Sequence, residues 1–261
     1  MRILVCAKLV SEPLYTDSLQ EQSTSRLSTG KLIMNPADAY GLELALRLRD
    51  TRPGSKLTIL TLAPRSAENM LHTALAMGAD EAVHVCDSCF AGSDTLATAV
   101  VLAAAVRAID FQGLIVCGQK SIDSETGHIG PQLAMLLGLQ SITNVLDFQA
   151  DAEGIHVQQL RDSGTALLRG PDTAVLSVCR GTKMVRRPTI FGLQTVEKKP
   201  YRVLQCTDLR LPLGQTGAAG SPTRVVETHQ ISHRKYGHPD FHDAVSGTEF
   251  LIRLIRKTEG V

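Results

Sequence analysis

Residues 117–131 read CGQKSIDSETGHIGP. Ser121, Ser124 and Thr126 supply hydroxyls there, and Gly127 and Gly130 allow close backbone approach to a ligand. An amphipathic run to Leu137 follows and stops at Gly138, so the free amides of its first turn point back at the loop. A loop of this kind suits a phosphate group at a helix start. An ordinary strand-to-helix connection, with Ser and Thr capping the helix, fits the same spacing. Asp123 and Glu125 accept hydrogen bonds from ligand hydroxyls, such as those of a ribose, in the first case and face water in the second.

Other chemistries lack their motifs. The chain has no GxxxxGK[ST], no GxGxxG after its first strand and no GxSxG elbow, which disfavours P-loop hydrolysis and serine hydrolysis. His229 with His233 and His238 with His242 share an i, i+4 spacing. Gly237 and Pro239 interrupt that segment and no HExxH glutamate accompanies it, so metal binding is not expected. His128 reads as a polar helix-start residue. Six cysteines are scattered through the sequence, a usage that suits reduced thiols in the cytoplasm. Cys86 and Cys89 form an isolated CxxC read as structural.

The elements around these residues alternate. Strand-like runs at 2–8, 57–62, 81–85 and 113–117 are separated by helical patterns beginning at Asn35-Pro36 and spanning 66–77 and 93–109, with a fourth at 129–137. Such a βαβ order predicts an α/β fold, a parallel sheet with helices on both faces, of the Rossmann-like adenine-nucleotide-binding kind. Ligands then bind beyond the carboxyl ends of the strands. Residues 5–8, 35–38, 62–64 and 117–130 fall at that edge, and the turn 91–95 joins them. Residues 142–146, 155–161, 166–168 and 174–178 read as strands without intervening helices. Gly181 to Pro200 reads as a loop, and a Gly- and Pro-rich arm from Leu211 leads to a helical pattern at 247–257. The expected division is an α/β domain over 1–205 and a C-terminal arm and helix over 206–261.

Composition narrows the classes. Of 261 residues, 43% are hydrophobic and 20% charged, and the formal net charge is +1. No global field draws nucleic acid or an anionic membrane. The opening residues 1–10 carry Lys8 and read as a first strand rather than an export signal, and no apolar run reaches membrane-spanning length.

Several segments together resemble the β subunit of electron transfer flavoproteins: VCAK at 5–8, MNPADAYGLELALRLRD at 34–50, LHTALAMGADEAVHV at 71–85, the segment 117–139, and RGPDTAVLSV at 169–178. The resemblance spans nearly the whole chain. It implies a subunit that pairs with an FAD-carrying α subunit in a heterodimer and passes electrons between NADH or acyl-CoA-type dehydrogenases and an acceptor. It also implies that Cys6, Ala7, Asn35, Pro36, Ala37, Asp38 and Leu62 line a nucleotide pocket. Cys117, Gly118, Gln119, Lys120, Ser121, Ile122, Asp123, Ser124, Glu125, Thr126, Gly127, His128, Ile129 and Gly130 complete it. The stretch 180–201 corresponds to a loop that docks dehydrogenases, with Ile190, Phe191 and Leu193 as its apolar anchor. Packed under their own loop, those three would instead form a satellite cluster. Only Lys198 and Lys199 follow the anchor, where the commonest family pattern has a dense basic run.

The β subunits of this family hold either AMP as an inert ligand or a second FAD that takes hydride from NADH and bifurcates electrons. Residues 124–131 resemble the bifurcating branch, as do 90–98 and the pair Leu213-Gly214 with 220–223, which favours FAD. Small residues Gly92, Ser93 and Thr95 would leave room past a pyrophosphate. Asp94, Thr95 and Thr98 either orient that pyrophosphate from a helix start or form a self-contained cap. A reading of another class, a nucleotide-sensing module of the universal stress type, has no need of residues 179–261.

Overall fold

The computed structural model describes residues 1–12, 31–181, 183–226 and 243–258. The chain divides into a unit Met1–Arg224 and a second unit Val225–Val261. The first unit begins with β1 (Arg2–Cys6), β2 (Leu9–Ser11), β3 (Leu32–Met34), α1 (Pro36–Thr51), β4 (Lys56–Leu62), α2 (Glu68–Met77) and β5 (Glu81–Val85). It continues with α3 (Thr95–Ala108), β6 (Leu114–Gly118), α4 (Ile129–Leu137), β7 (Gln140–Asp151), β8 (Gly154–Arg161), β9 (Gly164–Gly170) and β10 (Ala174–Val178). It closes with α5 (Ile190–Thr195), β11 (Tyr201–Leu204) and α6 (Cys206–Leu209). In the second unit the described residues form α7 (Ala244–Thr258), on which Val245, Leu251 and Ile252 are exposed. His229, His233, His238 and His242 lie outside the described residues.

The main sheet runs β11-β5-β4-β1-β6-β10-β7-β8-β9. Every pair from β11 to β7 is parallel, and β8 and β9 extend the sheet as an antiparallel meander. This is the predicted α/β class. From β1 the chain passes through α1 to β4 and through α2 to β5, then returns through α3 to β6 on the other side of β1. Successive connections therefore diverge at the carboxyl ends of β1 and β6, and a crevice opens there.

Alternation along the strands divides the core between two faces. Ile3 and Val5 pack with Leu42, Leu46, Leu71 and Leu75 of α1 and α2, while Leu4 and Cys6 pack with Val101, Leu102, Leu133 and Ala134 of α3 and α4. Because β1 is buried on both sides, its sequence is a continuous apolar run rather than an alternating one. Among the described residues no helix is long and apolar enough to cross a membrane.

Three local expectations are corrected. The first strand ends at Cys6, and residues 9–11 form a separate two-stranded ladder with 32–34. The third helix begins at Thr95, with Asp94 as its N-cap accepting from the Ala97 amide at 3.0 Å. The stretch read as a loop holds α5 and a 3-10 turn, Val196–Lys198. Thr189 caps α5 by accepting from the Gly192 amide at 2.9 Å. A Cβ on Gly192 would stand 2.1 Å from the Ala76 carbonyl oxygen, so only glycine lets α5 lie against the end of α2. Lys199 closes this contact, its Nζ donating to Leu75 O and Ala79 O at 2.7 Å each. A cation here opposes the helix dipole at the end of α2 and adds a charged donor to Leu75 O, which also accepts the Gly78 amide at 3.1 Å. Lys199→Met, which keeps the stem, is expected to lower stability by about 2 kcal/mol in chemical denaturation.

The other flank of the stretch is pinned to α1. Arg186 donates from its amide and Nε to Glu43 Oε2 at 3.0 and 2.9 Å, and from Nη1 to Asp50 Oδ2 at 2.8 Å. Burial pushes the Glu43 carboxyl up, but the hydrogen bonds from Arg186 and Arg47 outweigh it and hold the group below the usual carboxylate range. Between these fixed points Ile190, Phe191 and Leu193 are 78%, 75% and 59% exposed, so they are not packed under their own loop.

Candidate nucleotide site and its family

A cavity of about 310 Å³ lies over the carboxyl ends of β1, β4 and β6. The β1 end supplies Cys6, Ala7, Lys8 and Leu9, the start of α1 supplies Asn35 and Asp38, and the β4 end supplies Leu62, Ala63 and Pro64. Residues 117–121, Asp123, Ser124 and 126–129 form one wall, and Phe90, Gly92, Ser93, Asp94, Thr95, Thr98 and Leu102 form the opposite one. Five expected residues do not line it. Pro36 occupies the first turn of α1 and Ala37 is buried. Ile122 is partly exposed, with its amide turned to Asn35. Glu125 faces outward in an ion pair with Lys120 at 2.8 Å. Gly130 sits on Ser177, where a Cβ would lie 2.1 Å from the hydroxyl oxygen.

Two side chains from the first forty residues hold the loop in shape. Asn35 is the N-cap of α1, yet its side chain makes no cap bond. It instead donates from Nδ2 to Lys120 O at 3.1 Å and accepts from the Ile122 amide at 3.2 Å. Lys8 donates from Nζ to both Asp123 oxygens at 2.7 and 2.6 Å and to Ser121 Oγ at 3.3 Å. Burial raises the Asp123 carboxyl, but the bonds from Lys8 and Ser121 hold it below its ordinary range. Asp123 thus serves the loop's own structure. Local pattern does not single out Lys8, because the partners of its Nζ are more than a hundred positions away; the VCAK segment is the one signal that points to it.

Asp38 ties the strand ends together. Its carboxylate accepts from the Lys8 amide at 2.7 Å and the Gly118 amide at 2.9 Å. A Cβ at Gly118 would stand 2.1 Å from Asp38 Oδ1, so glycine is required for this approach. Burial pushes the Asp38 carboxyl up to about 6, against the lowering effect of those bonds. The folded state therefore favours the proton: the contribution is greatest below the unfolded value near 3.8 and is lost as pH rises through about 6. A shift of this size corresponds to about 3 kcal/mol. The stability difference between wild type and Asp38→Asn, followed by denaturant unfolding from pH 4 to 7, is expected to move against wild type by that amount.

The second wall is fixed from the far end of the unit. Asp94 accepts from the Ala97 amide at 3.0 Å, the Thr223 amide at 3.0 Å and the Thr223 hydroxyl at 2.7 Å. Ser221 Oγ accepts from the Asp94 amide at 2.8 Å and donates to Gly217 O at 2.7 Å. The Gly217 amide reaches Ser93 Oγ at 3.2 Å. The carboxylate of Asp94 is thus engaged in a self-contained cap that also binds 217–223 to the cavity wall. By contrast α4 starts at His128 without a side-chain cap, and His128 and Ile129 line the cavity. An uncapped helix start beside Ser121, Ser124 and Thr126 fits the phosphate of a nucleotide. The apolar stretch at Leu62, Ala63, Pro64 and Phe90 suits a planar ring.

Comparison with known proteins decides the family. Residues 27–204 match the family described as electron transfer flavoprotein domain. The chain belongs to the electron transfer flavoprotein β subunits. The electron transfer flavoprotein subunit beta of Thermoanaerobacterium thermosaccharolyticum is 34% identical over 206 residues, 78% of each chain. That of Megasphaera elsdenii is 32% identical over 243 residues, covering 91% of this chain and 90% of its own. The caffeyl-CoA reductase-Etf complex subunit CarD of Acetobacterium woodii is 31% identical over 228 residues, 87% of each. In this electron transfer flavoprotein β subunit, the six cysteines are free thiols. Asp87 stands between Cys86 and Cys89, and its two carboxylate oxygens accept the amides of Cys89 and Cys206 at 3.1 Å each.

Proposed function

We propose that this β subunit pairs with an FAD-carrying α subunit in the cytoplasm and that the cavity at the β1/β6 crevice holds a second FAD. The observation that carries the reading is the lining of the cavity, which includes Gly92, Ser93 and Thr98 as well as the uncapped start of α4. An AMP site ends at one phosphate; a dinucleotide needs room beyond it. Segments 90–98 and 220–223, both similar to the bifurcating branch, meet in one hydrogen-bonded wall.

Within that reading, Ser121, Ser124, Thr126 and the first amides of α4 hold the phosphates. Asn35 and Lys8 keep the loop in the conformation that presents them. When bound, the flavin supplies the redox chemistry and the protein sets its position and potential. Electrons come from NADH or from a dehydrogenase of the acyl-CoA type, and the relative named for a caffeyl-CoA reductase complex supports a CoA-ester partner. Ile190, Phe191 and Leu193 form the docking surface for that dehydrogenase, since they are exposed on a helix pinned at both flanks.

AMP is the second reading, and one observation favours it: about 310 Å³ is at the lower end for enclosed ligand sites. Anaerobic addition of NADH to the purified heterodimer separates the two. Bleaching of the flavin absorbance without any added dehydrogenase is the expected result; an unchanged spectrum would leave the AMP reading standing.

A further inference from the structure

We infer that His84 is a positioning residue of the nucleotide pocket, drawing the Ala63 carbonyl out of the cavity wall, and that Tyr201 fixes the ring that does so. The inference rests on the reading of the cavity as a nucleotide site. His84 lies on β5, only 3% exposed, and its Nε2 stands 3.0 Å from Ala63 O while its Nδ1 stands 2.8 Å from the Tyr201 hydroxyl. A carbonyl only accepts, so Nε2 carries the hydrogen, and Nδ1 pairs with the Tyr201 hydroxyl. Burial pushes the Tyr201 hydroxyl up to about 12, which keeps it a donor. Both ring nitrogens are satisfied and the tautomer is set.

The consequence reaches the cavity through the residues after β4. Ala63 and Pro64 line it. The Ala63 amide donates to Val85 O at 3.2 Å, so β5 takes both polar groups of this residue. Pro64 has no N–H to offer. The wall at this point therefore meets a ligand with carbon alone, which suits the face of a planar ring. Without the bond from His84, the Ala63 oxygen would be an orphaned acceptor beside the ring, a cost that binding must then bear.

Tyr201 also connects this wall to α5. It follows Lys199, which closes α5 onto α2, and Pro200, whose carbonyl accepts from the Ala82 amide at 3.0 Å on the same strand as His84. The ring of Tyr201 meets that of His72 edge-on at 5.6 Å between centroids, so its hydroxyl is held by packing as well as by the hydrogen bond.

Two amide replacements separate the parts of this arrangement. His84→Gln places a donor near Nε2 and keeps the bond to Ala63 O, whereas His84→Asn reaches only as far as Nδ1 and keeps the Tyr201 side. In the purified heterodimer, release of the β-site nucleotide is followed by exchange against excess FAD and, in a parallel run, excess AMP, with folding checked by circular dichroism. His84→Asn is expected to exchange about tenfold faster than wild type and Tyr201→Phe about threefold, with His84→Gln close to wild type. Folded Asn and Gln variants that exchange at equal rates, or an Asn variant at the wild-type rate, would overturn the positioning role while leaving the site intact. Wild-type heterodimer with no nucleotide in this subunit would overturn the site reading and the inference with it.

Discussion

Thr126→Glu combined with Gly127→Glu is expected to empty the nucleotide site of this subunit and to leave the α-subunit flavin in place. Gly127 has a φ of +68°, where a side chain is strained by about 1 kcal/mol or more. The two new carboxylates would stand just before the uncapped start of α4, where the phosphate is proposed to lie. Like charges about 4 Å apart near a protein surface repel by about 4 kcal/mol. Repulsion of this size weakens binding on the order of 1,000-fold. The fold should tolerate the change because Thr126 is exposed and the loop is held elsewhere, by Lys8 on Asp123 and by Asn35 on Lys120 and Ile122. Flavin and adenine analysis of the purified complex reads the outcome. Unchanged stoichiometry would place the nucleotide elsewhere.

The second large effect is expected on the surface. Ile190→Ser with Phe191→Ser should leave the melting temperature within a few degrees, since both side chains are already more than 70% exposed. Electron transfer to a partner dehydrogenase should nevertheless weaken by about 30-fold in apparent KM for that partner, the loss of a central apolar anchor being worth about 2 kcal/mol or more. The kcat at saturating partner should hold, because neither residue touches the cavity. Wild-type steady-state kinetics in the double variant would remove α5 from the docking surface.

Much of the framework is legible from local pattern. The strands 81–85 and 174–178 and the helix 129–137 with its Gly138 stop appear where apolar runs and turn residues place them. Such boundaries depend on neighbours in sequence. What escapes is set by distant partners. Asn35 carries every local sign of a helix cap, and only the folded chain shows its amide turned to the loop at 120–122. Lys8 looks like the polar end of a strand until Asp123 is beside it. The helix α5 is short and its segment rich in Lys, Arg and Pro; it is stabilised by Gly192 against Ala76 and by Lys199 on α2, contacts no periodicity encodes. Strand β11 joins the sheet edge in only four residues, too few to stand out. Asp94 shows the same limit from the other side: its position before a helix is plain in sequence, but its bonds to Thr223 are not.

Denaturing the purified heterodimer and identifying the nucleotides released tests whether the β1/β6 crevice of this subunit holds a flavin. Two FAD per heterodimer is the expected result; one FAD accompanied by one AMP would show that the crevice holds AMP instead.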